Sequence, residues 1–529
     1  MAAAVGRALT RFLRAYEQRA VLAVAAVGVG VFCVLPLGVL LARVALSPQD
    51  ATSAWSSSRP WILAARSAGL ALAVTAVALV VGVPLGVLVG RTDAAGRRVA
   101  GLLHVQPVFL PPFLLALGWF HVFGRRGALG SEATSAVLFS EAGAILVLAL
   151  AFAPVVTSLV AVALNGIDPS LEEAARLVAR PLWVTAGILL PAVAPAIVLA
   201  AIAVFALAFS ELGVPMFLRV DAFPSAVFAR LGGVDYAPGE AFALVLPLAP
   251  VALALLALER RFVGRRSFAV LGLRASERDR LKLGRWRPAA SALVWIAAAL
   301  SGAPVLALFW RAGQGDGFAQ MGAWVGRAPW NGLVSGAVAA TLITLFGLTV
   351  GHAVARGLPG SRSLDALAVL AFVTPATLLG VGIIDVWNRP ALRPVYGTLA
   401  ILVVGYAGRY MVIGVHTLAV VISQSSPQLE EAAAVAGAGF LRRLTGIVAP
   451  VHARGLAFAW LLALVFCLRD LETAILFYPP AGEPTTVRIF TLEANGPEPV
   501  VAALASAHVA ITAAAVVVGA WRASRGARG

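Results

Sequence analysis

Twelve apolar runs divide this chain, each long enough to cross roughly 30 Å of hydrocarbon. They lie near 20–45, 62–89, 99–122, 138–163, 190–211, 240–258, 289–310, 332–355, 364–385, 396–422, 449–468 and 499–521. Segments inside a bilayer must satisfy their backbone polar groups internally, as helices do. The expected fold class is therefore all-α: a polytopic membrane protein of about 12 transmembrane helices. Composition agrees, since 60% of the 529 residues are hydrophobic and only 12% charged, with mean hydropathy +0.91. No soluble globular protein needs so little charge.

Basic residues orient the runs. The formal net charge is +16, carried almost wholly by arginine, with Lys282 the one lysine. Arg7, Arg11, Arg14 and Arg19 precede the first run, which is too long for a signal-peptide core and reads as a retained span. Arg91, Arg97 and Arg98, then Arg356 and Arg362, then Arg522, Arg525 and Arg528 fall on the same side. The 259–288 connection adds Arg260, Arg261, Arg265, Arg266, Arg274, Arg278, Arg280, Lys282, Arg285 and Arg287. The positive-inside rule makes this side cytoplasmic, so both termini are expected there. In so apolar a chain this charge is a topology signal and a match to anionic lipid headgroups, not a nucleic-acid footprint. Cys33 and Cys467 sit inside apolar runs and form neither a disulfide framework nor a metal-ligand spacing.

The chain repeats itself. Residues 171–191 read LEEAARLVARPLWVTAGILLP and residues 429–450 read LEEAAAVAGAGFLRRLTGIVAP. Two further landmarks keep the register. Arg98 precedes Pro111 by 13 residues, as Arg362 precedes Pro375; Glu211 follows Pro191 by 20, as Asp470 follows Pro450. With six runs in each copy, the halves share orientation and are related by an axis along the membrane normal. The expected organisation is a first six-span repeat at 1–258, a basic cytoplasmic linker at 259–288 and a second six-span repeat at 289–529.

In the second copy, Pro427 ends one run, and Glu430, Glu431, Ala432 and Ala433 begin a new helix. Alanine and glutamate favour helix, and acids suit its first turn. Gly437 and Gly439 then allow a sharp turn, and Pro450 opens the next run. A short helix across the cytoplasmic ends of two spans suits the transmission of a push from a soluble partner. A plain surface connector is the alternative, and two matched copies argue against it.

These residues resemble the cytoplasmic loop of permease subunits of bacterial ATP-binding-cassette (ABC) importers, with its pattern E-A-A, three residues, G, nine residues, I-x-L-P. Glu431-Ala432-Ala433, Gly437, Ile447 and Pro450 match, with Ala449 where leucine is usual. In the first copy, Glu172 precedes the matching Glu173-Ala174-Ala175, Ala179 replaces the glycine, and the stretch to Pro191 is one residue short. The resemblance covers nearly the whole chain. It implies two parallel six-helix repeats of the MetI-like permease type in a bacterial inner membrane. Two copies of a cytoplasmic ATPase would dock on the loops, with Glu173 and Glu431 as acidic contacts. A periplasmic binding protein would deliver substrate. A phosphate-binding loop needs G-x-x-x-x-G-K-[ST], whereas Lys282 is followed by Leu283. ATP and Mg are therefore expected on the partner, with no cofactor or metal bound by this chain, and the chain is a transport subunit rather than an enzyme.

Charges at or within spans mark the candidate path. Glu211 and Asp470 sit near the outer ends of their runs, with Arg469 and Glu472 beside the second. They read either as carboxylates at an outer mouth, suited to a hard cation, or as helix caps, partners of Arg469 or contacts for an external protein. Arg409, in mid-run, reads either as facing an anionic substrate or as paired with a buried acid or carbonyl. Of six histidines, His416 lies two turns beyond Arg409, and none forms a ligand-spaced cluster. The stretches SELGVPMFL at 210–218 and LRDLETAILFYPP at 468–480 resemble ferric-iron permeases. Permeases for thiamine, phosphonate, polyamine and sulfate are the alternative substrates within that class. A major-facilitator secondary transporter is the rival class, since GRTDAAGRR at 90–98 resembles its cytoplasmic loop. That class does not explain paired Glu-Ala-Ala helices. A membrane enzyme is disfavoured by the absence of a catalytic constellation.

Overall fold

Prolines decide where several of the apolar runs break. The computed structural model describes residues 2–46, 56, 58–167, 181–231, 248–262 and 281–525. Helix α1 (Ala2–Val29) passes through a π-helical turn at Gly30–Val34 into α2 (Leu35–Leu46). Next come α3 (Arg59–Arg91), α4 (Arg97–Val105), α5 (Pro112–Phe123), α6 (Glu132–Leu138) and α7 (Glu141–Gly166). The first half closes with α8 (Ala194–Ser210), α9 (Gly213–Phe217), α10 (Phe223–Leu231) and α11 (Ala249–Phe262). The second half contains α12 (Arg287–Gly313), α13 (Gly317–Val325), α14 (Ala328–Ala355), α15 (Ser361–Val373), α16 (Ala376–Trp387) and α17 (Ala400–Ser423). It continues through α18 (Gln428–Val435), α19 (Phe440–Arg443), α20 (Ala453–Arg469), α21 (Ala474–Phe477), α22 (Thr485–Asn495) and α23 (Glu498–Arg525). The described residues contain no strand, only an isolated parallel bridge between Thr92 and Leu281.

Seven helices are long and apolar enough to span a membrane, and four bent pairs raise the number to 11 among the described residues. The run near 240–258 survives there as the 14-residue α11. Four helix pairs are bent. The segment Arg97–Phe109 meets α5 at 111°, and α15 meets α16 at 106°. Each break falls at a matched proline. Leu110, before Pro111, is extended at φ −114° and ψ 148°, and Thr374, before Pro375, lies at −67° and 131°. A proline ring disfavours helical geometry at the preceding residue. The segments carrying Pro191 and Pro450 meet α8 and α20 at 62° and 84°. In both, a π-helical turn (Thr185–Leu189, Leu444–Val448) precedes the proline, and the bend falls at Val193 or His452.

The sequence boundary between the halves is not a packing boundary. Helix α2 packs on α16 of the second half, while α12 packs on α4 and α5 of the first. The two exchanges use one device. A Cβ on Gly118 would collide with the Pro304 carbonyl, and a Cβ on Gly382 with the Pro36 carbonyl. Glycine is what lets the helices touch backbone to backbone. Polar contacts differ between the two seams. At the first, Cys33 Sγ donates to the Gly408 carbonyl at 3.5 Å, and Arg43 Nε donates to Asp385 Oδ2 at 2.9 Å. At the second, His104 bridges Ser301 Oγ through Nδ1 (2.9 Å) and Thr157 Oγ1 through Nε2 (3.2 Å). The largest apolar core accordingly draws on both halves.

Candidate functional site: the second Glu-Ala-Ala loop and the buried carboxylates

Helix α18 carries the second Glu-Ala-Ala segment. Pro427 stands at its N-cap and both acids fall in the first turn. Gly437, at φ 103°, ends it. There Ala438 N donates to the Ala433 carbonyl and Gly437 N to the Ala434 carbonyl, a closure that needs a residue able to take positive φ. The chain then turns into α19 and reaches Pro450 at the foot of α20.

The adjacent glutamates point to different surroundings, because successive residues sit about 100° apart around a helix. Glu430 is buried and Glu431 exposed. Glu430 Oε1 accepts from Arg356 Nε (3.0 Å) and Nη2 (2.7 Å), and Oε2 lies 2.6 Å from His352 Nε2. Arg356 also donates through Nη1 to the Ser425 carbonyl at 3.0 Å, and Ser425 Oγ lies 3.0 Å from His452 Nε2. The end of α14, the end of α17, the start of α18 and the foot of α20 are thereby tied together. Burial pushes the Glu430 carboxyl up, but the hydrogen bonds from His352 and Arg356 outweigh it and hold the group below the usual carboxylate range. On the outward side, Leu429 is 61% exposed and Val435 89%, flanking Glu431 with Ala432 and Ala436. The first-copy residues Glu172, Glu173, Ala174 and Ala175 lie outside the described residues; Pro191 is placed at its bend.

Glu211 and Asp470 occupy matched tight turns just after α8 and α20, both buried. Glu211 Oε1 accepts from Val214 N at 3.2 Å, at the start of α9. Asp470 Oδ1 accepts from Thr473 N (2.9 Å) and Ala474 N (3.1 Å), at the start of α21. Each acid thus satisfies helix N-terminal amides. The second turn is far more heavily bonded. Asp470 Oδ2 also accepts from Thr473 Oγ1 at 2.8 Å and Tyr410 Oη at 2.5 Å, and Arg409 Nε lies 3.6 Å away. Arg409, in mid-span, is 2% exposed, so Asp470 is its charge partner. Glu472 is buried and within hydrogen-bonding reach of Glu211, so the two copies meet at these turns. Arg469 donates to the Val108 carbonyl at the α4–α5 break. His416 does not join Arg409; it pairs with Asp365 at 2.7 Å, whose other oxygen takes Arg260 at 2.8 Å.

Sequence reasoning did not single out His352, Arg356 as a clamp, Ser425, His452 or Tyr410. A signal existed for the first two: spaced by four on one helix, His352 and Arg356 share a face, at the level where the loop returns.

Among known proteins the chain resembles transport-system permease proteins. No protein-family model matches the chain. It is 24% identical over 419 residues to the putative ferric transport system permease protein FbpB 1 of Haemophilus influenzae, covering 73% of this chain and 65% of the relative. It is 23% identical over 472 residues to the ferric transport system permease protein FbpB of Actinobacillus pleuropneumoniae, covering 82% and 66%. The molybdenum transport system permease protein ModB of Escherichia coli is 28% identical over 204 residues, 36% of this chain and 88% of the relative. The described residues hold the helices of a multi-pass membrane protein, and the chain is similar to these transport-system permease proteins. It spans 65–66% of the length of the two ferric relatives.

Proposed function

We propose that the chain is the membrane pathway of an ATP-driven importer, and that it receives its power stroke through α18. The observation that carries this is the two-sidedness of the second loop. Its inner side is locked to α14 through Glu430, and Arg356 and Ser425 extend that network to α17 and α20, while its outer side offers Glu431 with exposed Leu429 and Val435. A helix so held transmits displacement instead of absorbing it, and its free face fits a groove on a soluble protein. The partner is a cytoplasmic ATPase carrying ATP and Mg, two copies for the two loops, and this chain holds no cofactor. Both termini and both loops then lie in the cytoplasm, as the arginine distribution favours. A periplasmic binding protein delivers the substrate to the opposite face.

Ferric iron is the favoured substrate, because the ferric relatives align with 73% and 82% of the chain. The second reading is an oxyanion or phosphonate. Relatives named for molybdenum and 2-aminoethylphosphonate align over 36% and 30%, and Arg409 supplies a buried cation. Uptake of radiolabelled iron, molybdate and 2-aminoethylphosphonate into proteoliposomes holding the chain, its ATPase and its binding protein separates them. Iron-only uptake supports the favoured reading, and oxyanion-only uptake replaces it. Glu431→Lys in the same system is expected to abolish substrate-stimulated ATP hydrolysis. Unchanged stimulation removes Glu431 from the interface.

A further inference from the structure

The amides that open α19 are capped from a distant part of the chain. Every helix start leaves N–H groups without intrahelical partners. Gly439, at the N-cap of α19, has no side chain to serve them. Instead Glu17 of α1 accepts from Phe440 N through Oε2 and from Leu441 N through Oε1, both at 3.0 Å. Its carboxylate sits where a Cβ on Gly439 would be, so the close approach depends on that glycine. One turn along the same face of α1, Val21 packs against the apolar cluster that includes Phe440, Leu444 and Val448. The Phe440 ring in turn lies edge-on to His352, with centroids 5.6 Å apart, and His352 holds Glu430. A continuous line of contacts therefore joins the first helix of the first half to the buried acid of the second coupling loop.

We propose that Glu17 is a positioning residue for coupling: α1 braces the second coupling loop through it and travels with that loop as one body. This rests on the reading of α18 as the power-stroke helix. The second loop is thus anchored with the help of a helix contributed by the opposite half.

Two readouts test the brace, and the first needs no transport. Hydrogen exchange on the full chain in nanodiscs should show the Phe440 and Leu441 amides exchanging about tenfold faster in Glu17→Ala, the effect of losing a charge-assisted cap. Glu17→Gln, which keeps the packing and one acceptor oxygen, should fall between. In the complex with its ATPase and binding protein, Glu17→Ala should lower substrate imported per ATP hydrolysed by about the same factor while substrate-independent hydrolysis persists. A Glu17→Cys/Gly439→Cys pair should cross-link and leave uptake within about twofold of the uncross-linked protein, because a brace that travels with the loop need not open. Unchanged exchange, an unchanged import-to-hydrolysis ratio, failure to cross-link, or uptake abolished by the cross-link would each overturn the proposal. If the wild-type complex shows no ATP-driven uptake, the power-stroke reading fails, and the exchange data still report on the brace.

Discussion

The two halves share their backbone breaks and differ in how those breaks are filled. Pro111 and Pro375 bend matched spans by 111° and 106°, and Gly118 and Gly382 receive the exchanged helices. At the acid turns the resemblance stops at the cap. Glu211 accepts one backbone amide, whereas Asp470 serves two amides, a threonine and a tyrosine beside the Arg409 guanidinium. Duplicated backbone geometry is set by proline and glycine at fixed spacing. The polar filling is free to diverge once each turn has its cap. In this chain the divergence has concentrated charge in the second half.

The largest expected effect probes that concentration. Asp470→Ala removes the carboxylate paired with buried Arg409 and should cost about 3–5 kcal/mol, the range for breaking a buried pair. Glu211→Ala removes one cap and should cost only about 1 kcal/mol. Thermal unfolding of the two variants in detergent measures the gap; equal losses would show that the turns are equivalent after all. Next come the exchanged helices. Gly118→Val and Gly382→Val each force a side chain against a carbonyl and should cost about 1–3 kcal/mol apiece. Here near-equality is expected, and a large inequality would show that one seam alone holds the halves together.

Glu430→Gln sharpens the contrast at the coupling loop. Losing the charged partner of Arg356 should cost about 1.5–3 kcal/mol. The carboxyl of Glu430 is held below its ordinary range. Its contribution is therefore fully present above the unfolded-state value and lost as pH falls through the folded value. The stability difference between wild type and Glu430→Gln should stay constant from neutral pH down to the ordinary carboxylate range and shrink below it. A difference that grows on acidification would contradict the ion-pair assignment. The smallest effect on stability is expected for Glu431→Lys, within about 0.5 kcal/mol because the side chain is exposed.

The sequence made most of the scaffold legible. Apolar length gave the spans, and spacing gave the repeat, because both are one-dimensional properties. It did not show the bends: Pro111 and Pro375 sit inside runs that hydropathy treats as continuous. Nor did it show that α2 and α12 change sides, since apolar periodicity names no partner. Among the site residues, Glu430 and Glu431 could not be told apart by type. Their difference comes from Arg356 and His352, more than 70 positions away in sequence. The cap from Glu17, 423 residues from Phe440, is further still from any local signal.

If a separate ATPase drives the loops, as proposed, substrate moves only in its presence. The direct measurement is substrate uptake into proteoliposomes that contain the chain with or without its ATPase, energised by ATP or by an imposed ion gradient. Uptake is expected only with ATPase, ATP and binding protein together, and none from the gradient alone. Gradient-driven uptake by the chain alone would contradict it and restore the secondary-transporter reading.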